Sequence, residues 1–164
     1  MKQNKVLQIV YTFFLGVMLA IFIGVGINTF YEPPAAPEYP VELSTYAKDS
    51  TVEQTAKQKE YDKKNAEYVN GIKPYNRNVS IITMVAAVAL LAISILYEKK
   101  IKVISDGVML GGLFTLIYSI GRGFASEDSK YMFVVVSIGL ALVIYLGYHR
   151  FVGPNGNPQK TNKK

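Results

Sequence analysis

The residues in this sequence that could do chemistry are few, and their types exclude more than they suggest. There is no cysteine, so there is no thiolate nucleophile, no disulfide and no cysteine-ligated metal site. The one histidine, His149, stands beside Arg150 at the end of an apolar block and reads as an interface residue. No HExxH, GxSxG or P-loop pattern occurs, and no pair of carboxylates clusters within an apolar stretch. The sequence therefore offers no catalytic residue, no metal ligand set and no cofactor site, and the expectation is a protein that is not an enzyme.

Two ionisable residues near the ends of the apolar stretches are candidates for a polar site. Asp106 is the first. A carboxylate at the centre of a bilayer costs about 2.5 to 3.5 kcal/mol to insert, so such groups are candidate ion or proton sites. The run Ser105-Asp106-Gly107 also has a plainer reading, an N-cap whose carboxylate sits at the positive end of a helix dipole. Arg122 is the second. It closes a row Gly111, Thr115, Tyr118, Arg122 along one helical face, and Asn28 would end at a similar depth with Glu32 just beyond. Either Arg122 snorkels and pairs with Glu32, Glu127 or Asp128, or Asn28, Tyr118 and Arg122 form a polar pocket for an anion or lipid headgroup.

The elements that must position these residues are four apolar blocks, about Val6–Phe30, Val79–Tyr97, Val103–Gly121 and Tyr131–Phe151. Crossing a ~30 Å hydrocarbon core takes about 20 apolar residues in helix. Only helices of this length satisfy their own backbone in lipid, and the blocks lack the alternation of barrel strands. The expected fold is all-α: a polytopic four-helix transmembrane bundle with an extra helix in the large outer loop. The first block follows a basic start, Met1–Lys5, but far exceeds the 7 to 15 apolar residues of a cleaved signal, so an uncleaved anchor is expected.

The organisation follows: residues 1–30 as N-terminus and first span, 31–78 as an outer loop, 79–151 as three further spans, and 152–164 as a disordered basic cytoplasmic tail. The loop opens Glu32-Pro-Pro-Ala-Ala-Pro-Glu-Tyr-Pro40, an extended spacer of polyproline character. A polar helix is expected over about 44–70, with Ser50-Thr-Val-Glu53 as a capping box and Gly71 and Pro74 as its stop. Its apolar content is too thin for a core of its own. Tyr61, Tyr68 and Tyr75 recur every seven residues, either as a weak partner stripe or by chance.

Lys2, Lys5, Lys99, Lys100, Lys102, Arg150, Lys160, Lys163 and Lys164 fall on one side of these spans. Near the spans on the other side stand only Lys64, Lys73, Arg77, Arg122 and Lys130. This bias predicts a multi-pass cell-membrane protein with both termini cytoplasmic, and it accounts for the high pI without nucleic acid. Small residues supply the packing faces. Gly16, Ala20, Gly24 and Asn28 share one face of the first span; Gly107, Gly111, Thr115 and Ser119 share one of the third. They serve either internal bundle packing or a homo-oligomer interface.

The stretches Phe22-Ile-Gly-Val-Gly-Ile-Asn-Thr-Phe-Tyr-Glu-Pro-Pro34 and Ser105–Phe124 resemble segments of small four-span bacterial membrane proteins, a resemblance that implies the fold and brings no activity. The long first loop is laid out as in claudin-like proteins, but the tryptophan and paired cysteines of that family are absent. Three functions remain, in this order: a structural or accessory subunit presenting its outer helix to a membrane-protein partner, a small-solute or ion channel or transporter formed by an oligomer, and a membrane-embedded enzyme.

Overall fold

The computed structural model describes residues 2–40 and 52–152. They form four α-helices: α1 (Lys2–Phe30), α2 (Val52–Tyr97), α3 (Lys102–Phe124) and α4 (Ser129–Phe151). Each is long and apolar enough to cross a membrane. The capping-box residues Ser50 and Thr51, the helix start at Ser44 and the tail from residue 153 lie outside the described residues.

The expected separate loop helix is replaced by something longer. α2 runs unbroken for 46 residues, with Pro74 inside it. At ~1.5 Å per residue it is about 69 Å long. Gly71 and Pro74 do not stop it, although a proline in a helix interior removes one hydrogen bond and costs about 3 kcal/mol. Contacts from distant residues hold the chain in line just beyond the proline. The Tyr75 ring, 5% exposed, stacks on Tyr31 at 5.1 Å and 8°. Its hydroxyl donates to the Tyr31 carbonyl at 3.1 Å, and Asn78 Nδ2 donates to the Tyr31 hydroxyl at 3.0 Å. Asn76, also buried, donates to the Ala125 carbonyl at 3.1 Å.

The proline-rich segment explains the other half of this correction. Residues 32–40 carry no regular structure and return along α2 as a strap. Tyr31 lies against Tyr75, Pro34 packs 3.6 Å from where a Cβ on Gly71 would stand, and Tyr39 meets Tyr61 edge-on at 5.1 Å. From Tyr61 to Tyr75 α2 rises about 21 Å. From Tyr31 to Tyr39 a polyproline chain advances about 25 Å. The two lengths match closely enough for one to brace the other, and the ends of the tyrosine row are the seats of the strap.

α3 is the hub of the bundle, packing chiefly on α2, then on α1, and least on α4. Its seam with α2 is closed by two reciprocal serine pairs. Ser80 Oγ donates to the Ser119 carbonyl at 2.7 Å, and Ser119 Oγ returns to the Ser80 carbonyl at 2.8 Å. Near the turn, Ser94 Oγ donates to the Ser105 carbonyl at 2.9 Å, and Ser105 Oγ to that of Ser94 at 2.6 Å. All four serines are essentially inaccessible. Midway between the two serine pairs stand Ala87, fully buried, and Gly112, whose missing Cβ would lie 2.8 Å from Leu91 Cδ2. Small residues thus let the backbones approach until hydroxyls reach carbonyls across the seam.

α1 packs on the opposite side of α3 through glycine. A Cβ on Gly16 would meet Leu110 Cβ at 2.9 Å; one on Gly107 would meet Leu15 Cδ2 at 2.7 Å; one on Gly111 would lie 3.0 Å from Leu19 Cβ and 3.2 Å from the Gly16 carbonyl oxygen. Gly24, by contrast, has open space around it, and Ala20 is half-buried. The small-residue face of α1 is therefore a packing face only in its first half. α4 starts at Asp128, whose side chain caps the amides of Lys130 and Tyr131, each at 3.1 Å. Its Val135 joins Met84, Ala87 and Leu116 in a small apolar core.

These contacts separate two glycines that look alike in sequence. Gly111→Ala should destabilise the bundle by about 1 to 3 kcal/mol, because the methyl meets backbone and a side-chain root. Gly24→Ala should leave stability unchanged or slightly raised. Reversible unfolding of both variants in detergent, followed by circular dichroism, checks the contrast.

Candidate functional site

Asp106 and Arg122 each belong to a polar cluster, one at each end of α3. Around the α2–α3 turn the centre is Arg150 from α4. Its Nη2 donates to the Asp106 carboxylate and its Nη1 lies 3.4 Å from Glu98 Oε1. The Arg150 side chain is 16% exposed, so the guanidinium is largely withdrawn from water. One cation thus ties the end of α2, the first turns of α3 and the end of α4.

This corrects the N-cap reading of Asp106. The cap position of α3 is Ile101, with no side-chain bond, and Asp106 lies a full turn inside the helix. Ser105 looked like its companion in the cap, but its hydroxyl is spent on Ser94 across the seam. The carboxylate instead answers Arg150, and both are tied to Glu98 through the same guanidinium. Among the described residues no group of three or more His, Cys, Asp or Glu side chains is arranged to hold a metal ion.

At the other end of α3 the centre is Arg122. Its Nε donates to the Tyr118 hydroxyl at 2.9 Å, one turn back on the same helix. Its Nη1 donates to Asn76 Oδ1 at 2.8 Å on α2. The guanidinium carbon lies 5.4 Å from the Tyr118 ring centroid and 5.8 Å from that of Tyr75, within cation–π range of both. Tyr118 and Arg122 are thus brought together as the helical spacing implied. Asn28 is not: it lies exposed on α1, and no hydrogen bond joins it to this cluster among the described residues.

None of the three carboxylates considered as partners pairs with Arg122. Glu127 is engaged by Lys73 at 2.7 Å and holds a left-handed backbone, φ 55°. Asp128 is spent on capping α4. Glu32 is exposed, without an ion pair to Arg122. Asn76 and Tyr75, the partners that do meet Arg122, escaped the sequence reading because they lie 46 and 47 residues away on a stretch taken for loop. Two grooves of the bundle are apolar. One of about 300 Å³ runs between α2 and α4, lined by Val88, Leu91, Ala92, Leu142, Tyr145 and Leu146. It gathers no converging polar groups of the kind that orient a substrate.

If the inner cluster is an ionic fastener, Asp106→Asn should destabilise the protein even though asparagine caps helices well. Asp106→Asn and Arg150→Gln should each lower stability by about 1 to 3 kcal/mol, and the double variant by clearly less than the sum. Additive losses would mean that the two side chains act separately. No family model, curated protein or solved structure matches the chain, so these clusters are read from their geometry alone.

Proposed function

We propose that this chain is a multi-pass protein of the cell membrane, with both termini cytoplasmic, and that its role is structural: it holds the polar half of α2 out from the bilayer as a rigid post for an extracytoplasmic partner. The observation that carries this reading is the continuity of α2 from Val52 to Tyr97. With Val79–Tyr97 in the bilayer, the remaining 27 residues project about 40 Å beyond it.

An isolated helix of such polar sequence would be marginal in water. This one continues an apolar helix, is clasped by the strap through Tyr31 and Tyr39, and carries i,i+4 pairs on its surface. Lys64 bridges Glu60 at 2.7 Å, and Gln58 donates to Asp62 at 2.8 Å. The Lys64 hydrogen bond and charge hold the Glu60 carboxyl below its usual range and raise the Lys64 ammonium in turn. Lys59, Glu60, Asp62, Lys63, Lys64 and Glu67 of this half are exposed. A braced, charged rod with no core of its own suits recognition by another protein better than catalysis or conduction.

The reading is tested by affinity purification of the full-length chain from native membranes, with and without a four-residue Gly-Ser insertion between Asn70 and Gly71. A stoichiometric partner is expected with the uninterrupted chain. Its recovery should fall about tenfold on insertion, because a pre-organised surface binds with less ordering cost. A clean, partner-free protein from native membranes would overturn the proposal.

A further inference from the structure

The two buried or half-buried arginines of the bundle differ in a way the post does not use. Arg150 faces two carboxylates. Arg122 faces none among the described residues; its partners are an amide oxygen, a phenol and two aromatic faces, all neutral. Guanidinium has five N–H donors, and the protein accepts two of them here. Among the described residues three are left without an acceptor, both of those on Nη2 included. The residue is half-buried rather than enclosed.

The group is also fixed rather than loose. Tyr118 anchors Nε, Asn76 anchors Nη1, and Asn76 is itself buried and tied to the Ala125 carbonyl at 3.1 Å. The carboxylates nearest in sequence are committed elsewhere, Glu127 to Lys73 and Asp128 to the α4 cap. A planar cation held against tyrosine rings, with donors to spare on Nη2, matches an oxyanion that accepts charge-assisted hydrogen bonds. Tyr31 and Tyr75 stack beside it, and Tyr131 donates to the Arg77 carbonyl at the same end of the bundle. Tyrosines of this kind gather at the level of lipid headgroups.

We propose that Arg122, positioned by Tyr118 and Asn76, binds a phosphate-type oxyanion, supplied by a phospholipid headgroup or by free phosphate. The inference is independent of the post reading, since it concerns a charge at the foot of α2 and not the surface that α2 presents.

Binding to the full-length chain is measured in neutral detergent with two probes, phosphatidylglycerol against phosphatidylcholine, and inorganic phosphate against chloride at equal ionic strength. Saturable binding of phosphatidylglycerol alone identifies a headgroup site; saturable binding of phosphate as well identifies a site for the free anion. In either case Arg122→Gln should weaken binding about tenfold or more, since it removes charge-assisted hydrogen bonds. Tyr118→Phe keeps the ring, loses the anchor on Nε and should weaken binding a few-fold; it decides the matter should Arg122→Gln fail to fold. Lys130→Gln removes an exposed cation from the same end and should change little. The proposal is overturned if neither probe exceeds its reference, if both cluster variants bind like the wild type, or if Lys130→Gln loses as much as Arg122→Gln.

Discussion

In a bilayer, apolar surface drives nothing together, because lipid tails are as apolar as leucine. Helices then associate where backbones come close and polar groups answer one another. In this bundle the α2–α3 seam meets that requirement most fully. Ser80 with Ser119, and Ser94 with Ser105, each exchange two hydrogen bonds to backbone carbonyls, and Ala87 and Gly112 keep the space between them narrow. Each serine also fills its own polar capacity in a site that water does not reach. A hydroxyl so placed holds register as well as affinity, since sliding one helix by a residue would strand all four. α1 and α4 then pack on a hairpin whose register is already set.

That fixed hairpin is what allows α2 to continue past its own proline. Pro74 lies one residue before Tyr75 and two before Asn76, and both are held by chain segments that reach α2 from elsewhere. The lost backbone bond is local, whereas the stacking of Tyr31, the hydroxyl bond to its carbonyl and the amide bond to Ala125 come from two distant segments of the chain. Together they outweigh a penalty of about 3 kcal/mol. The strap extends this support along the polar half, where the helix has the least intrinsic reason to persist.

How far the fold could be read in advance depended on the range of the signal. The four apolar blocks were legible because hydropathy adds up over some 20 neighbouring residues. The continuity of α2 was not, because Gly71 and Pro74 are strong local stop signals and the contacts that override them come from Tyr31, 44 residues earlier, and Ala125, 49 residues later. Asp106 was misread for the same reason: Ser105-Asp106-Gly107 has the composition of a cap, and its true partner, Arg150, lies 44 residues away. The Tyr118–Arg122 contact was legible, since residues four apart share a helical face. The serine pairs could have been found. Both pairs, and Ala87 with Gly112, are equidistant from the Lys99–Lys100 turn, which is what an antiparallel helical hairpin requires of facing positions.

The remaining helices are held at points rather than along seams. α4 is pinned at one end by Arg150 and at the other by the Tyr131 hydroxyl on the Arg77 carbonyl, with a short apolar contact between. α1 meets α3 closely through Gly16, Gly107 and Gly111, then parts from the bundle by Gly24, where even a methyl would find nothing to touch. It is recovered only after its last turn, when Tyr31 stacks on Tyr75. The second half of α1 is therefore a bridge between two attachments, and its large exposed residues Phe22, Val25 and Phe30 face away from the protein. Loss of the Tyr31 contact would thus release three things together: the second half of α1, the start of the strap, and part of the support that carries α2 past Pro74, the Asn76 bond to Ala125 remaining. The tyrosine pair thus joins the bundle to the rod alongside the Asn76 bond to Ala125 and the Lys73–Glu127 ion pair, and it is the link that also holds α1.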